Sequence, residues 1–68
     1  MVSILVEELI LNTLRNAEDS LTIEEVAKRA GIHRITASKY LAVLEAKGYL
    51  KYRPVGKAKL FSLAEGRA

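Results

Sequence analysis

Between Leu21 and Leu50 the chain reads LTIEEVAKRAGIHRITASKYLAVLEAKGYL, two helix-period segments that meet at Gly31. Two short helices crossing at about 90 to 120° need a tight turn in which the chain reverses without a clash between side chain and carbonyl, and glycine adopts it readily. The residues on either side obey the same geometry. Val26, Ala27 and Ala30 precede the bend, Ile32 lies in it, and Ala37, Leu41 and Leu44 follow it. Ala27 and Ala37 are small where the helices must cross, and a larger side chain at either position would hold the two axes apart.

Local signals place the ends of these helices. Thr22 and Glu25 have the spacing of a capping box, so the first of the pair is predicted over about 23–30. The second is predicted over about 34–47, with His33 at an N-cap position where Ser, Thr, Asp or Asn is more usual. That departure suggests a role for His33 besides capping. Gly48 stops the helix, and Lys47 suits the negative end of its dipole.

Upstream, apolar residues recur at helical spacing from about 4 to 16, with Ile10, Leu11 and Leu14 facing the core and Glu18, Asp19 and Ser20 forming a polar turn. A second stripe, Val2, Leu5 and Leu9 with Val6 at its border, is more apolar than a solvated face needs, and is a candidate homodimer surface. Ser20 to Thr22 could form a short third strand. After Gly48 the period changes to two: Tyr49 to Arg53 and Lys59 to Leu63 read as strands, joined by a loop of Pro54, Val55, Gly56, Lys57 and Ala58. Phe61 and Leu63 lie on the core pleat, and Glu65 to Ala68 read as a frayed end. The whole, residues 1–68, is one mainly α domain with a small antiparallel hairpin.

A domain of 68 residues lies near the lower limit for stability by core burial alone, and gains from a partner. Charge is unevenly distributed along it. Residues 1–32 hold three basic against six acidic side chains, net −3, whereas residues 33–68 hold eight against two, net +6. A polyanion would be steered to the second half. With no Cys and one His, disulfides, thiolate metal sites and a zinc site of its own making are excluded, and the chain fits a reducing cytoplasm. No run is long enough to span a bilayer, and Glu7 and Glu8 interrupt the place where a secretory signal would be apolar. There is no glycine-rich phosphate loop and no catalytic pair, since Glu24 and Glu25 splay about 100° apart on a helix. No enzyme activity, cofactor or small-molecule ligand is therefore expected. Abundant Lys, Arg and Glu with no Gln carry a thermophilic or archaeal lean.

From Ile10 to Leu63 the chain resembles a winged helix-turn-helix domain of the bacterial and archaeal transcription-regulator type, on the strength of the Gly31 hinge, the helix that follows it and the terminal hairpin. The resemblance implies three helices with a two- or three-stranded wing, and sequence-specific binding of double-stranded DNA by a small regulator. Two other readings stand beside it: an RNA- or ribosome-associated winged helix, which shares the basic face, and a protein-docking winged helix inside a larger complex, favoured by the apolar stripe of the first helix and the modest net charge. The third helix lacks the Asn and Tyr, and the wing the Trp, of winged helices that bind left-handed DNA.

With Ala37, Leu41 and Leu44 inward, the outer face of the third helix is Ile35, Ser38, Lys39 and Ala42, with Arg34 and Thr36 beside its first turn. Arg34 and Lys39 can donate to guanine, while Ile35 and Ala42 suit a thymine methyl. His33, Thr36 and Ser38 suit phosphate oxygens, and Tyr40 divides between core and phosphate. In the wing, Lys51 and Arg53 alternate with Leu50 and Tyr52, and Lys57 and Lys59 extend the same sign. The resemblance gives these wing residues the flanking backbone or minor groove.

Overall fold

The computed structural model describes residues 2–64, with side chains from Leu5 onward. Along the chain run α1 (Val2–Arg15), α2 (Ile23–Ala30), α3 (Arg34–Ala46), β1 (Leu50–Val55) and β2 (Ala58–Leu63). The fold is the three helices and antiparallel hairpin that the sequence predicts. Residues 65–68, read above as a frayed end, and the Val2 side chain lie outside the description.

Helix α2 begins with both arms of the capping box: Thr22 Oγ1 accepts from the Glu25 N–H at 3.2 Å, and Glu25 Oε1 accepts from the Thr22 N–H at 2.9 Å. Its C-terminus bends at Gly31, whose φ of 72° and ψ of 33° are left-handed, and the Ile32 N–H returns to the Ala27 carbonyl at 3.0 Å. A Cβ on Gly31 would meet no atom within 4 Å, so the demand for glycine there is one of backbone angle and not of space. Helix α3 closes on a Schellman pattern, with Gly48 N–H bonded to the Glu45 carbonyl and Tyr49 N–H to the Leu44 carbonyl, both at 3.0 Å. The helix stops at Ala46, one residue before the predicted end.

Ile10, Leu14, Leu21, Val26, Ala27, Ala37, Leu41, Leu44, Leu50 and Phe61 form the buried core. Each helix contributes its predicted face, and the hairpin contributes Leu50 and Phe61. Val6 and Leu11 pack against this cluster. Val6 therefore belongs with the core rather than with the outer stripe of α1, because it lies about 40° from Ile10 around the helix and not opposite it. At the other end of α3, the Lys47 ammonium lies 3.4 Å from a Glu7 carboxylate oxygen and ties α3 to α1.

The hairpin is longer than expected. Pro54, Val55 and Ala58 lie in strands, in register Val55 with Ala58 and Pro54 with Lys59, leaving Gly56 and Lys57 as a two-residue turn. Gly56 has φ of 60° and Lys57 does not have positive φ, the pattern of a II′ turn, whose twist matches that of the flanking strands. The five-residue loop was an overestimate because proline counts against a strand, yet its position here removes that objection. Phe61 spends its N–H and its carbonyl on Leu21, at 2.7 and 3.0 Å, so the Tyr52 and Phe61 pair exchanges no bonds across the hairpin. Two residues further on, Pro54 and Lys59 have the same phase, and the Pro54 nitrogen points away from β2. The predicted third strand reduces to that single bridge between Leu21 and Phe61.

Candidate nucleic-acid interface

Helix α3 is thirteen residues long, about 20 Å at 1.5 Å per residue, and only one side of it is committed to the core. Ala37, Leu41 and Leu44 are buried; Arg34, Ile35, Ser38, Lys39 and Ala42 are exposed. Ile35 is 70% exposed, which excludes a packing role against α2. Thr36 is half-buried, and so is Tyr40, whose ring packs against the core while the Lys39 ammonium lies 5.6 Å from its centroid.

The helix is started by an unusual cap. His33 has extended backbone angles, and its Nδ1 accepts from the Ile35 N–H at 3.1 Å. Accepting at Nδ1 puts the proton of the neutral ring on Nε2, on an exposed side chain. The histidine therefore caps, and keeps one donor for an outside oxygen. An aspartate cap would bond the helix equally well and retain no donor.

Next to this cap, Arg34 Nε lies 3.6 Å from an Oε2 of Glu24 in the first turn of α2. Glu24 was legible in the sequence only as an acidic residue on the outer face of α2. The signal that would have found the pair is positional: an acid in the first turn of one helix and a base in the first turn of the next, either side of a glycine hinge.

In the wing, the alternation of side chains splits the basic residues. Lys51 and Arg53 share the outer pleat with Leu60 and Ser62, whereas Lys59 shares the inner pleat with Tyr52, its ammonium 5.1 Å from the tyrosine centroid. Lys57 occupies the tip. All four are exposed. Between the wing tip and the starts of α2 and α3 lies an open groove of about 480 Å³, lined on the helix side by Thr22, Ile23, Glu24 and Arg34 and on the wing side by Val55, Lys57, Ala58 and Lys59. The structure thus brings Arg34 together with Lys57 and Lys59 and sets Lys51 and Arg53 on the other face of the sheet.

Among the described residues no cluster of three His, Asp or Glu could hold a metal ion, and no helix is long and apolar enough to cross a membrane. A three-helix domain that presents an exposed, capped third helix beside a basic hairpin is a winged helix-turn-helix domain of the DNA-binding regulator class. The sequence matches the model of the IclR helix-turn-helix domain over residues 9–54, and the chain belongs to that family. It is a DNA-binding domain of transcriptional regulation.

Solved structures agree. The chain is similar to Sso10a-2, a DNA-binding protein from Sulfolobus solfataricus, with 32% identity and a TM-score of 0.72 over 87% of this chain and 62% of that one. It is similar to the PcaV transcriptional regulator of Streptomyces coelicolor, solved in complex with its natural ligand, with 27% identity and a TM-score of 0.78 over 87% of this chain and 43% of that one. The apo-Zalpha domain of zebrafish PKZ superposes with a TM-score of 0.85 over 96% of this chain and all of that one, at 21% identity, which is a likeness of fold alone. The chain thus spans 62% of the length of Sso10a-2 and 43% of that of PcaV. No curated protein matches the sequence.

Proposed function

We propose that α3 docks in the major groove of double-stranded DNA as the sequence-reading element, and that the wing lies on the flanking backbone or minor groove. The observation that carries this reading is the exposed α3 face of Arg34, Ile35, Ser38, Lys39 and Ala42, continuous with the cations of the wing tip. A major groove about 12 Å wide admits an α-helix. Arg34 and Lys39 donate to guanine O6 and N7, and Ile35 and Ala42 meet thymine methyls. His33 Nε2, Thr36, Ser38 and the Tyr40 hydroxyl donate to phosphates, which fix register without reading sequence. Lys57 and Lys59 grip the backbone nearest the groove, and Lys51 and Arg53 take phosphates farther along. In this reading the protein acts in the cytoplasm, on the cell's own DNA.

A salt titration against duplex DNA and A-form RNA of equal charge tests this. With about five phosphates neutralised per subunit, log K should fall with log salt at a slope of about −4.5 for one subunit on DNA and about −9 for a dimer bound as a unit. Tighter binding to the RNA at every salt concentration would overturn the assignment.

The domain acts as a homodimer through α1 in this reading. Leu5 and Leu9, 65% and 44% exposed, lie one turn apart on the side of α1 away from the core. A twofold pair would present two α3 helices to half-sites about one helical turn, 34 Å, apart. Sedimentation of the wild type should give twice the mass of one chain, and changing Leu5 and Leu9 to Ser should give one. A wild-type monomer at micromolar concentration contradicts the dimer.

A further inference from the structure

We propose that Glu24 is a positioning residue for base recognition: its carboxylate holds the Arg34 guanidinium by Nε, leaving the two terminal nitrogens free to meet a guanine. The inference rests on the reading of α3 as the reading helix and extends it to a residue of α2 that need not touch DNA.

Four observations carry it. The ion pair is made at Nε, 3.6 Å from Glu24 Oε2, and among the described residues no side-chain hydrogen bond involves Arg34. Its two terminal nitrogens have the spacing of guanine O6 and N7, so the tether occupies the edge of the guanidinium that end-on base recognition does not use. Glu25, the neighbouring acid, is committed to the Thr22 N–H of the capping box, which leaves Glu24 as the carboxylate available to Arg34. Among the described residues, Arg34 is the one cation of the proposed interface paired with a carboxylate; Lys39 and Lys59 lie over Tyr40 and Tyr52 instead.

The physical effect is twofold. A free arginine has many rotamers, most of which would let it settle on the nearest phosphate, a contact that carries no sequence information. Glu24 narrows that choice, and its negative charge makes the same phosphate a poorer alternative. Both side chains are exposed, 66% for Arg34 and 75% for Glu24, so in the free protein the pair is loose and screened. Docking against DNA removes water from the groove beside it and strengthens the pair when orientation matters.

The test begins with duplexes selected by the wild type from a random-sequence pool, followed by affinities for each single-base variant of the selected site and for the unselected pool. Wild type should prefer guanine at one position by about tenfold, the order of a bidentate arginine contact. Glu24→Ala should reduce that preference to about threefold or less while tightening binding to the unselected pool. Glu24→Gln, which keeps the size of the side chain and removes its charge, should reduce the preference nearly as far as Glu24→Ala, since the 3.6 Å contact is an ion pair and not a hydrogen bond. Arg34→Lys, which has no Nε fork, should lose the preference and become insensitive to Glu24→Ala. If Glu24→Ala tightens selected and unselected duplexes by one common factor, with the guanine preference intact, Glu24 is only a repelling charge and the inference is overturned. If Arg34→Ala leaves every base preference of the wild type unchanged, the reading role of Arg34 itself falls, and this inference with it.

Discussion

Arg34→Ala combined with Lys39→Ala should abolish the protein's preference for its selected site while leaving its thermal melting curve unchanged. Each side chain is exposed, and neither packs against the core, so removing both costs the fold little. Each good arginine- or lysine-to-guanine contact contributes about 1–3 kcal/mol of discrimination, so the pair together amounts to a hundredfold or more at the middle of that range. Binding to unselected duplexes should weaken much less, because Lys51, Arg53, Lys57 and Lys59 remain. Fluorescence anisotropy on the selected duplex and on the unselected pool separates these effects. If the double variant still discriminates between them as the wild type does, α3 is not the reader.

Leu41→Ala should have the largest effect on stability. Leu41 is fully buried in α3 within the cluster formed by all three helices and the hairpin. Cutting such a side chain back to Cβ costs about 2–5 kcal/mol, for lost transfer and for the cavity left behind. A domain of 68 residues has about 3–10 kcal/mol in all, so the variant should be substantially unfolded at 37 °C. Ile35→Ala, six residues earlier on the same helix, is the control: at 70% exposure it should melt within a few tenths of a kcal/mol of the wild type. Equal urea midpoints for the two variants would contradict the assignment of faces on α3.

The contrast between Leu41 and Ile35 shows what the sequence makes legible. Helical periodicity placed Ala37, Leu41 and Leu44 inward because one face of a helix must meet a core, and a glycine between two amphipathic segments marks the bend whatever surrounds it. The α2 cap could be read because Thr22 and Glu25 bond within a single turn. The position of the His33 cap could be read as well, but not the atom that makes it, since Nδ1 reaches the Ile35 N–H only in one ring orientation. The wing turn was misjudged for a related reason: whether a proline suits a strand depends on which way its nitrogen faces, and that is set by pairing between Phe61 and Leu21, forty residues apart. Contacts between elements were the least legible. Glu24 meets Arg34, and Glu7 meets Lys47, only once helices cross. The grouping of Lys57 and Lys59 with Arg34, apart from Lys51 and Arg53, likewise follows from the pairing register and from where the hairpin meets the helices, and not from the spacing of lysines.

The orientation of Pro54 has a consequence for the behaviour of the molecule in company. A two-stranded sheet leaves one margin of β1 facing water, and such a margin invites strands from neighbouring molecules to add on and grow into fibrils. Pro54 removes one of the donors that an incoming strand would need, near the distal end of the hairpin. The same residue that made the wing hard to read from sequence thus makes the open margin of β1 a poorer template for an incoming strand.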